Sequence, residues 1–479
     1  MSLKSAALKG VTWNAFGTIG YGVANLLVTM ILARILTPHD FGIIELLLVF
    51  SVIADAFVDS GFSQAIIRDR EAREIDFNTV FITNLLIAIG FYVCLFISAP
   101  YISSYFKSPI LIPLSRVVFL TVIFNSISLV QNAKFRKEIN FKKPAISSMA
   151  AVLISGVISI VLAFKGFGIW AIGLNIVLFS FFKMIFLWGQ STWRPSFDFS
   201  FDSFKKYFRF GSNLLIQGVL DKTVSNIESL FIGKIYTSSS LGYFSQAKKL
   251  DSYVAATSYS VVQRVTYPVL SKIGHDPKRL KEAYKKVLGL TLFVTTPIMF
   301  FVIGVADNVL LVLFGEQWLP ATIYVRLWFL CGFSVALYSI FINVFLVIGK
   351  TRKLLKLSLI RQGIRLISII ILARISVLAI MYGILITTLI STILYVYEGG
   401  KQIGYSISEV FYDLRLILFS CILLSIMVYV LNYFYFGSIS PILLLLIEGV
   451  IMFLGYLIMM YIGRSPYLKE LVEILKISQ

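Results

Sequence analysis

Apolar runs of roughly twenty residues follow one another along almost the whole chain, separated by short polar breaks. A helix needs about 20 apolar residues to cross the hydrocarbon core of a bilayer, which is about 30 Å thick. Hydrophobic residues make up 58% of the 479 residues, charged residues make up 14%, and the mean hydropathy is +0.87. These values argue against a string of soluble domains and predict an integral membrane protein.

The spacing of the polar breaks predicts an all-α membrane protein with about fourteen transmembrane helices. The predicted spans lie near residues 11–36, 41–66, 78–99, 113–132, 144–164, 168–190, 209–235, 243–268, 287–308, 320–348, 355–374, 377–397, 413–436 and 441–463. Lys4 and Lys9 precede the first run, as they would in a signal peptide, but no small-residue cleavage site follows. We therefore predict a retained first helix, and the even number of helices places both termini on one side.

Lysine and arginine residues concentrate in alternate connections between the predicted helices. They crowd residues 134–143, 194–209, 278–286 and 350–356, whereas the intervening connections carry few of them. Positive residues are retained on the cytoplasmic side, so we predict cytoplasmic termini in a multi-pass protein of the cell inner membrane. Membrane topology thus explains most of the net charge of +19. Nucleic-acid binding would need a soluble basic domain, and the succession of apolar runs leaves no room for one.

The sequence contains few residues that could bind a metal ion or carry out catalysis. The three cysteines fall inside apolar runs, and two histidines are too few for a Cys/His cage. The chain also has no GxxxxGK[ST] motif, so ATP hydrolysis is unsupported. A membrane polymerase or ligase normally presents acids or bases on a long outer loop, and the longest outer break, near residues 98–113, has neither carboxylate nor histidine. We predict a protein that is not an enzyme and that has no metal or other cofactor.

Two segments half a protein apart interrupt apolar runs in the same way. They read ILARILTPHDFG at 31–42 and FIGKIYTSSSLG at 231–242, and they match at a basic residue, an isoleucine, a threonine and a glycine. Six predicted helices separate them, which indicates a parallel repeat about an axis along the membrane normal. We predict an N-terminal lobe of helices 1–6 (residues 1–200), a C-terminal lobe of helices 7–12 (201–400), and a C-terminal helix pair with a cytoplasmic tail (401–479).

Several segments resemble a known family in their amino-acid sequence and in their order along the chain. They are ARILTPHDFG (33–42), DSGFSQAIIR (59–68), FNTVFITN (77–84), Ala99 with Pro100, QNAKFRKEINFKK (131–143), KGFGIWA (165–171), WRPSF (193–197), IGKIYTSSSLGYFSQAKKL (232–250) and LFGEQWLPA (313–321). The chain resembles the multidrug/oligosaccharidyl-lipid/polysaccharide (MOP) exporter superfamily and, within it, the Wzx-type polysaccharide flippases, also called lipopolysaccharide biosynthesis proteins. The resemblance covers the first two thirds of the chain.

This resemblance implies a flippase that moves a polyprenyl-pyrophosphate-linked oligosaccharide from the inner to the outer leaflet. Contact with the polysaccharide polymerase machinery is a further expectation. One departure stands out. Where relatives commonly carry an Asn-Asp pair on the seventh helix, this chain has Asn226 and Glu228 with Ile227 between them.

Polar residues inside the predicted spans need a partner or a wet cavity, because a basic residue at mid-bilayer costs about 2.5 to 3.5 kcal/mol. The seventh predicted helix carries Gln217, Asp221, Ser225 and Glu228 at spacings of three and four, which places them on one face. The eighth carries a second polar stripe. Two polar stripes on consecutive helices predict a water-filled cationic cleft between the lobes, which would work by alternating access.

From this pattern we predict two sets of site residues. The substrate-binding candidates are Lys222, Arg264, Asn14, Gln217, Asn226, Tyr253, Arg361 and Arg365. The carboxylates available for sodium or proton coupling are Asp59, Asp221 and Glu228.

Each set has a structural alternative. Arg361 and Arg365 would also fit the cytoplasmic belt of positive charge, Asp221 with Lys222 would also fit an ion pair, and Lys183 is expected near an interface. For the function, the alternatives are a peptidoglycan lipid-precursor flippase and a multidrug cation exporter of the same superfamily. A drug exporter should have an acidic and aromatic cleft, rather than one that carries Lys222 and Arg264.

Overall fold

The computed structural model describes residues 3–59, 61–69, 71–254 and 277–477, and their regular elements are helices. The helices before residue 255 are α1 (Leu3–Ile35), α2 (Pro38–Asp59), α3 (Phe62–Arg68), α4 (Glu74–Phe106), α5 (Leu111–Val118), α6 (Leu120–Lys137), α7 (Lys142–Phe164), α8 (Ile169–Gln190), α9 (Phe201–Val224), α10 (Ile227–Ile235) and α11 (238–254). The later ones are α12 (Pro277–Gly304), α13 (Ala306–Leu313), α14 (Thr322–Val347), α15 (Thr351–Leu372), α16 (Val377–Ile403), α17 (Ile407–Tyr435), α18 (Pro441–Ile462) and α19 (Pro466–Ile477), with a 3₁₀ turn at Glu316–Ala321.

Eleven helical stretches in the described ranges are long and apolar enough to cross a membrane. The all-α membrane fold predicted from the sequence is therefore confirmed. The remaining three predicted spans correspond to α9 with α10, to α11, and to α15, which are interrupted, incompletely described or rich in basic residues. The count of fourteen and the two six-helix lobes stay predictions.

The chain divides into two compact units, Met1–Gly242 and Tyr243–Gln479. In the first unit, one buried cluster gathers α3, α4 and α6 around Phe62, Phe81 and Trp193. In the second unit, a larger cluster joins α12, α14, α16, α17 and α18 around residues such as Phe341 and Tyr456. The lobe boundaries predicted at residues 200 and 400 are not tested by this division.

The matching segments at 31–42 and 231–242 begin helices in the same way. Backbone N–H of Asp40 donates to Oγ1 of Thr37 (3.3 Å), and N–H of Ser240 donates to Oγ1 of Thr237 (3.2 Å). Each threonine thus supplies a hydrogen-bond acceptor to the exposed first turn of the next helix, α2 or α11. At the first of these starts the carboxylate of Asp40 also accepts from N–H of Thr37 (3.0 Å), which completes a reciprocal cap.

The glycines of the two segments explain why both motifs end as they do. A Cβ on Gly42 would overlap the carbonyl oxygen of Ser238, and a Cβ on Gly242 would overlap the carbonyl oxygen of Pro38. The first turns of α2 and α11 therefore pack backbone against backbone. Glycine is required at positions 42 and 242 because a side chain at either one would push the two backbones apart.

The predicted span 209–235 is not one continuous helix. The structure ends α9 at Val224 and begins α10 at Ile227, with a turn between them. Nδ2 of Asn226 donates to the carbonyl oxygen of Lys222 (2.8 Å) across this break. Helical spacing therefore defines the polar face only within α9, and it does not by itself place Glu228 of α10 on the face of Gln217 and Asp221.

The start of α9 is held to the segment after α3 by one carboxylate. Asp69 accepts hydrogen bonds from Nζ of Lys206 and from the hydroxyl of Tyr207, both at 2.6 Å. The bond from Lys206 is the main reason that the pKa of Asp69 is lowered to about 2.

Candidate functional site

A polar cavity of about 570 Å³ lies inside the first unit, between α2, α3, α6, α8 and α9. Most of the neighbouring helical surface is apolar, yet this cavity is lined by many polar groups. They are Asp55, Asp59, Ser63, Gln64, Asn125, Ser128, Asn132, Arg136, Ser180, Lys183 and Lys222. A cavity of this size with several polar partners can hold water or a charged ligand.

The acidic side of the polar cavity comes from α2. Asp55 and Asp59 stand one helical turn apart and therefore share a face. Nδ2 of Asn125 on α6 donates to Oδ2 of Asp55 at 3.1 Å. Among the described residues, no hydrogen-bond donor reaches Oδ1 of either aspartate. Each carboxyl group therefore has one buried oxygen that accepts no hydrogen bond from the described part of the chain.

The basic side comes from three different helices. Arg136 lies near the end of α6, Lys183 near the end of α8, and Lys222 near the end of α9. Lys183 is half-buried, and its Nζ lies 5.8 Å from the ring centre of Phe179. Burying an ammonium group without compensation is unfavourable, and the nearby carboxylates offset part of that cost.

A second cavity of about 320 Å³, the side cavity, adjoins the polar cavity. Both are lined by Asn132, Arg136, Phe179 and Lys183. The side cavity extends from these residues to Gly17, Thr18 and Tyr21 on α1 and to Pro144, Ala145 and Ser148 on α7. Arg136 and Lys183 therefore stand where the two spaces meet.

Of the residues predicted from the sequence, Lys222 and Asp59 line the polar cavity. Asn226 is half-buried at the break after α9, Asp221 is half-buried, and Glu228 is fully buried at the start of α10. The structure therefore brings Lys222 and Asp59 together but leaves Asn226, Asp221 and Glu228 off the lining of this cavity.

The other predicted residues lie elsewhere. Arg264 falls outside the described residues, as do the side chains of Asn14 and Gln217. Tyr253, Arg361 and Arg365 belong to the second unit and are half-buried there. Nη1 of Arg361 donates to the hydroxyl of Tyr338 at 2.8 Å.

Sequence reasoning missed much of the lining. It assigned Lys183 to an interface and Arg136 to a cytoplasmic connection, and it singled out neither Asn125 nor Asn132. A signal was present, because Asn125, Ser128, Asn132 and Arg136 recur at spacings of three and four along α6 and so share one face. The polar face on α6 thus predicts a cavity no less strongly than the polar stripe on α9.

In the part of the chain that the structure describes, no group of three or more His, Cys, Asp or Glu side chains is arranged to hold a metal ion. The polar cavity itself is lined by hydrogen-bonding and charged side chains. Its three basic groups suit a multiply charged anion, and its amides and hydroxyls suit a polar, hydroxyl-rich ligand.

Comparisons with known proteins agree with the fold. A family model described as "Polysaccharide biosynthesis protein" matches residues 31–323. Among solved structures, the lipid II flippase MurJ in an inward closed conformation has a TM-score of 0.75 at 16% identity, covering 94% of this chain and 98% of that one. An inward-facing MATE multidrug resistance transporter of the MOP superfamily has a TM-score of 0.62 at 17% identity, covering 83% and 98%.

Sequence relatives point the same way. The lipopolysaccharide biosynthesis protein WzxC of Escherichia coli is 26% identical over 329 residues, which are 66% of this chain and 65% of that protein. The teichuronic acid biosynthesis protein TuaB of Bacillus subtilis is 23% identical over 323 residues, 67% of each chain. The matches thus span about two thirds of these relatives. They confirm the resemblance predicted from the sequence, and the chain belongs to the polysaccharide biosynthesis protein family.

Proposed function

We propose that this protein is a flippase for polyprenyl-pyrophosphate-linked oligosaccharides, which it moves from the cytoplasmic to the outer leaflet of the cell inner membrane for surface polysaccharide biosynthesis. Its family, the names of its relatives and its MurJ-like fold support this proposal.

The observation that carries the proposal is the convergence of Arg136, Lys183 and Lys222 on one polar cavity. A pyrophosphate group is multiply charged and cannot cross about 30 Å of hydrocarbon without compensation. The arginine offers a planar fork of donors that matches phosphate oxygens, and the lysines offer compact positive charges. The amides of Asn125 and Asn132 and the nearby serines are suited to sugar hydroxyls.

A complementation experiment tests this role. Lys183→Ala should abolish surface polysaccharide in a strain that lacks its own flippase, and Lys183→Arg should keep part of the activity because it preserves the charge. Lys165→Ala is the matched control. It removes the same charge, but Lys165 is exposed in the connection between α7 and α8. Normal polysaccharide with Lys183→Ala at wild-type protein levels would contradict the proposal.

The two related functions predict other ligands. A multidrug exporter binds cations, and a polar cavity in which three basic residues outnumber two carboxylates disfavours a cationic organic ligand. A peptidoglycan lipid-precursor flippase would use the same pyrophosphate chemistry, and the MurJ-like fold keeps it as an alternative. Transport of lipid II in vesicles, side by side with a lipid-linked polysaccharide repeat unit, separates the two.

We further propose that transport proceeds by alternating access and that a cation accompanies it. An inside-negative potential favours outward movement of one negative charge by about 2.3 kcal/mol per 100 mV, so coupling would be an addition to this driving force. Of the three carboxylates predicted for sodium or proton coupling, Asp59 is favoured over Asp221 and Glu228 because it lines the polar cavity. Asp59→Asn should then make transport insensitive to an imposed sodium or proton gradient.

The orientation of the chain and its neighbours in the cell are also part of the proposal. Cytoplasmic termini follow from the positive connections and would be tested with reporter fusions at residues 1 and 479. Contact with the polysaccharide polymerase machinery would be tested by crosslinking in cells.

A further inference from the structure

Helix α18 carries a single acidic residue in an otherwise apolar span, which reads PILLLLIEGVIMFLGYLIMMYI. The buried residues of this helix recur at every fourth position, and the acid is one of them: Leu444, Glu448, Met452, Tyr456 and Met460. Glu448 is 0% exposed, so its carboxyl group is enclosed by the protein and does not face lipid. An acid in such a place needs either a partner or a reason to be neutral.

The partner that the structure shows is the side chain of Asn308 on α13, which is also fully buried. Its Nδ2 donates to Oε2 of Glu448 at 3.2 Å. An amide is a neutral donor, and one such bond does not compensate the burial of a full negative charge.

Asn432 of α17 lies at the same depth as Glu448. Helices α17 and α18 are antiparallel neighbours joined by the short connection 436–440. Two close contacts fix their register, Leu416 with Gly463 and Leu424 with Gly455. Continued towards the connection, the same register brings residue 432 opposite residue 447, next to Glu448. Asn432 is 3% exposed, so it adds a second amide to the enclosed space.

The polar atoms in this space are unbalanced, because acceptors outnumber donors. Oε1 of Glu448, Oδ1 of Asn308 and Oδ1 of Asn432 are buried, and none of them has a hydrogen-bond partner among the described residues. A carboxylate and an amide oxygen can only accept. A proton on the carboxyl group removes its charge and supplies the O–H donor that is missing.

The charged groups on the helices packed around Glu448 are already engaged with each other. Asp307 on α13 bonds to Arg326 of α14, and the guanidinium of Arg326 also lies 5.0 Å from the ring centre of Tyr429 on α17. The end of α12 that reaches α18, residues 297–304, contains no titratable side chain. A positive charge for Glu448 therefore has to come from outside the described groups.

We propose that Glu448 is a proton-binding site, whose Oε1 holds a proton and donates it in a hydrogen bond to an amide oxygen of Asn308 or Asn432. This site goes beyond the proposed function, because it belongs to the second unit and uses no residue of the polar cavity. Release of the proton would leave a negative charge enclosed between α13, α17 and α18, which is unfavourable. The proton therefore stays while these helices are packed together, and its release requires that they separate.

Infrared spectroscopy of the full chain in lipid nanodiscs at pH 7 tests the protonation state directly, because a neutral carboxyl group and a carboxylate have separate C=O stretching bands. Glu448→Gln should remove a neutral-carboxyl band that wild type shows. Glu316→Gln is the matched control, since Glu316 is an exposed acid of the same unit, and it should leave that band in place. An unchanged neutral-carboxyl band in Glu448→Gln would overturn the proposal.

Thermal unfolding in detergent gives a second, independent readout. Above about pH 4.3, the ordinary pKa of glutamate, folding of wild type takes up the proton that the unfolded chain has lost. Raising the pH from 5 to 8 should therefore lower the folding equilibrium constant of wild type relative to Glu448→Gln, by up to about tenfold per pH unit. Glutamine keeps the shape and a donor of the neutral acid, so this variant should fold.

Three outcomes of the unfolding experiment would contradict a proton site. A Glu448→Gln chain that fails to fold, or that is destabilised equally at every pH, would mean that the carboxyl group is ionised in the folded protein. Stabilisation of wild type by sodium chloride but not by potassium chloride, lost in Glu448→Gln, would make the site one for sodium.

Discussion

The two units of this protein treat polar side chains within their helices differently. In the first unit, Asp55, Asp59, Lys183 and Lys222 line a polar cavity. In the second unit, polar groups bond to each other. Nη2 of Arg326 on α14 lies 2.5 Å from Oδ2 of Asp307 on α13.

A second pair in the same unit is fully buried. Nδ2 of Asn308 on α13 donates to Oε2 of Glu448 on α18 at 3.2 Å. A polar residue in an apolar environment is tolerated either because it faces a wet space or because it has a partner. The same residue types therefore line a cavity in one unit and pair with each other in the other. Two experiments test this contrast directly, and two more examine packing and charge within the first unit.

The largest effect should come from removing one cation from each unit. Lys183→Ala should lower transport by about a hundredfold, equivalent to about 2.7 kcal/mol, with little change in thermal stability, because it faces a cavity. Arg326→Ala should instead lower the melting temperature, since it leaves Asp307 without this partner. Transport per folded molecule and thermal unfolding in detergent measure the two effects. A loss of stability with Lys183→Ala, together with a loss of transport at unchanged stability with Arg326→Ala, would contradict the contrast.

Paired asparagine variants should show the contrast in stability alone. Asn308→Leu removes a donor from the buried carboxyl group of Glu448 and should destabilise the protein by up to about 3 kcal/mol. Asn125→Leu removes the donor to Asp55, but that carboxyl group can bond to water in the polar cavity, so the loss should stay below about 1 kcal/mol. Thermal unfolding measures both, and similar losses would mean that the first cavity is dry.

Glycine variants sharpen the comparison within the first unit, between tight packing and open space. Gly42→Ala places a methyl group against the carbonyl oxygen of Ser238 and should destabilise the protein by about 2 kcal/mol. Gly22→Ala is the control, because no atom lies within 4 Å of its added Cβ, and it should be neutral or stabilising by up to about 1 kcal/mol. A tolerated Gly42→Ala would show that the first turns of α2 and α11 separate easily.

The smallest effect should be a pH dependence at the edge of the first unit. Because the pKa of Asp69 is lowered from 3.8 to about 2 in the folded protein, its contribution is complete above pH 3.8 and is lost as the pH falls towards 2. The Lys206 side chain of this pair is 57% exposed, so solvent screens the interaction and the contribution should be at most about 1 kcal/mol.

The difference between the melting temperatures at pH 6 and pH 3 measures the contribution of Asp69 to stability. Asp69→Asn should remove it, whereas Asp202→Asn, at an exposed position of α9, should leave it in place. An identical pH response in wild type and Asp69→Asn would contradict the assignment.

Part of the candidate site could be predicted from the sequence, and the reason is clear from individual residues. Lys222 and Asp59 stood out because a charge in an apolar run is unfavourable wherever the helix points. Lys183 was misplaced because its distance from the helix end allowed its side chain to reach an interface. Whether it did so depended on how α8 is rotated against α2 and α6, and no spacing within α8 contains that information.

The matching helix starts show the same division. The alignment of 31–42 with 231–242 revealed the threonines and glycines, and helix capping explains the threonines from local sequence alone. The glycines needed the structure, because their reason is the backbone of a helix two hundred residues away.

By itself, the sequence determined that this is an all-α membrane protein and which family it resembles, and it predicts which side of the membrane its connections face. These follow from local quantities, namely the length of apolar runs, the placement of basic residues and short motifs. Only the tertiary structure decided which polar side chains share a cavity and which pair with each other. Those properties depend on which helix faces are brought together, and helix packing between distant segments is not encoded in any one stretch of the chain.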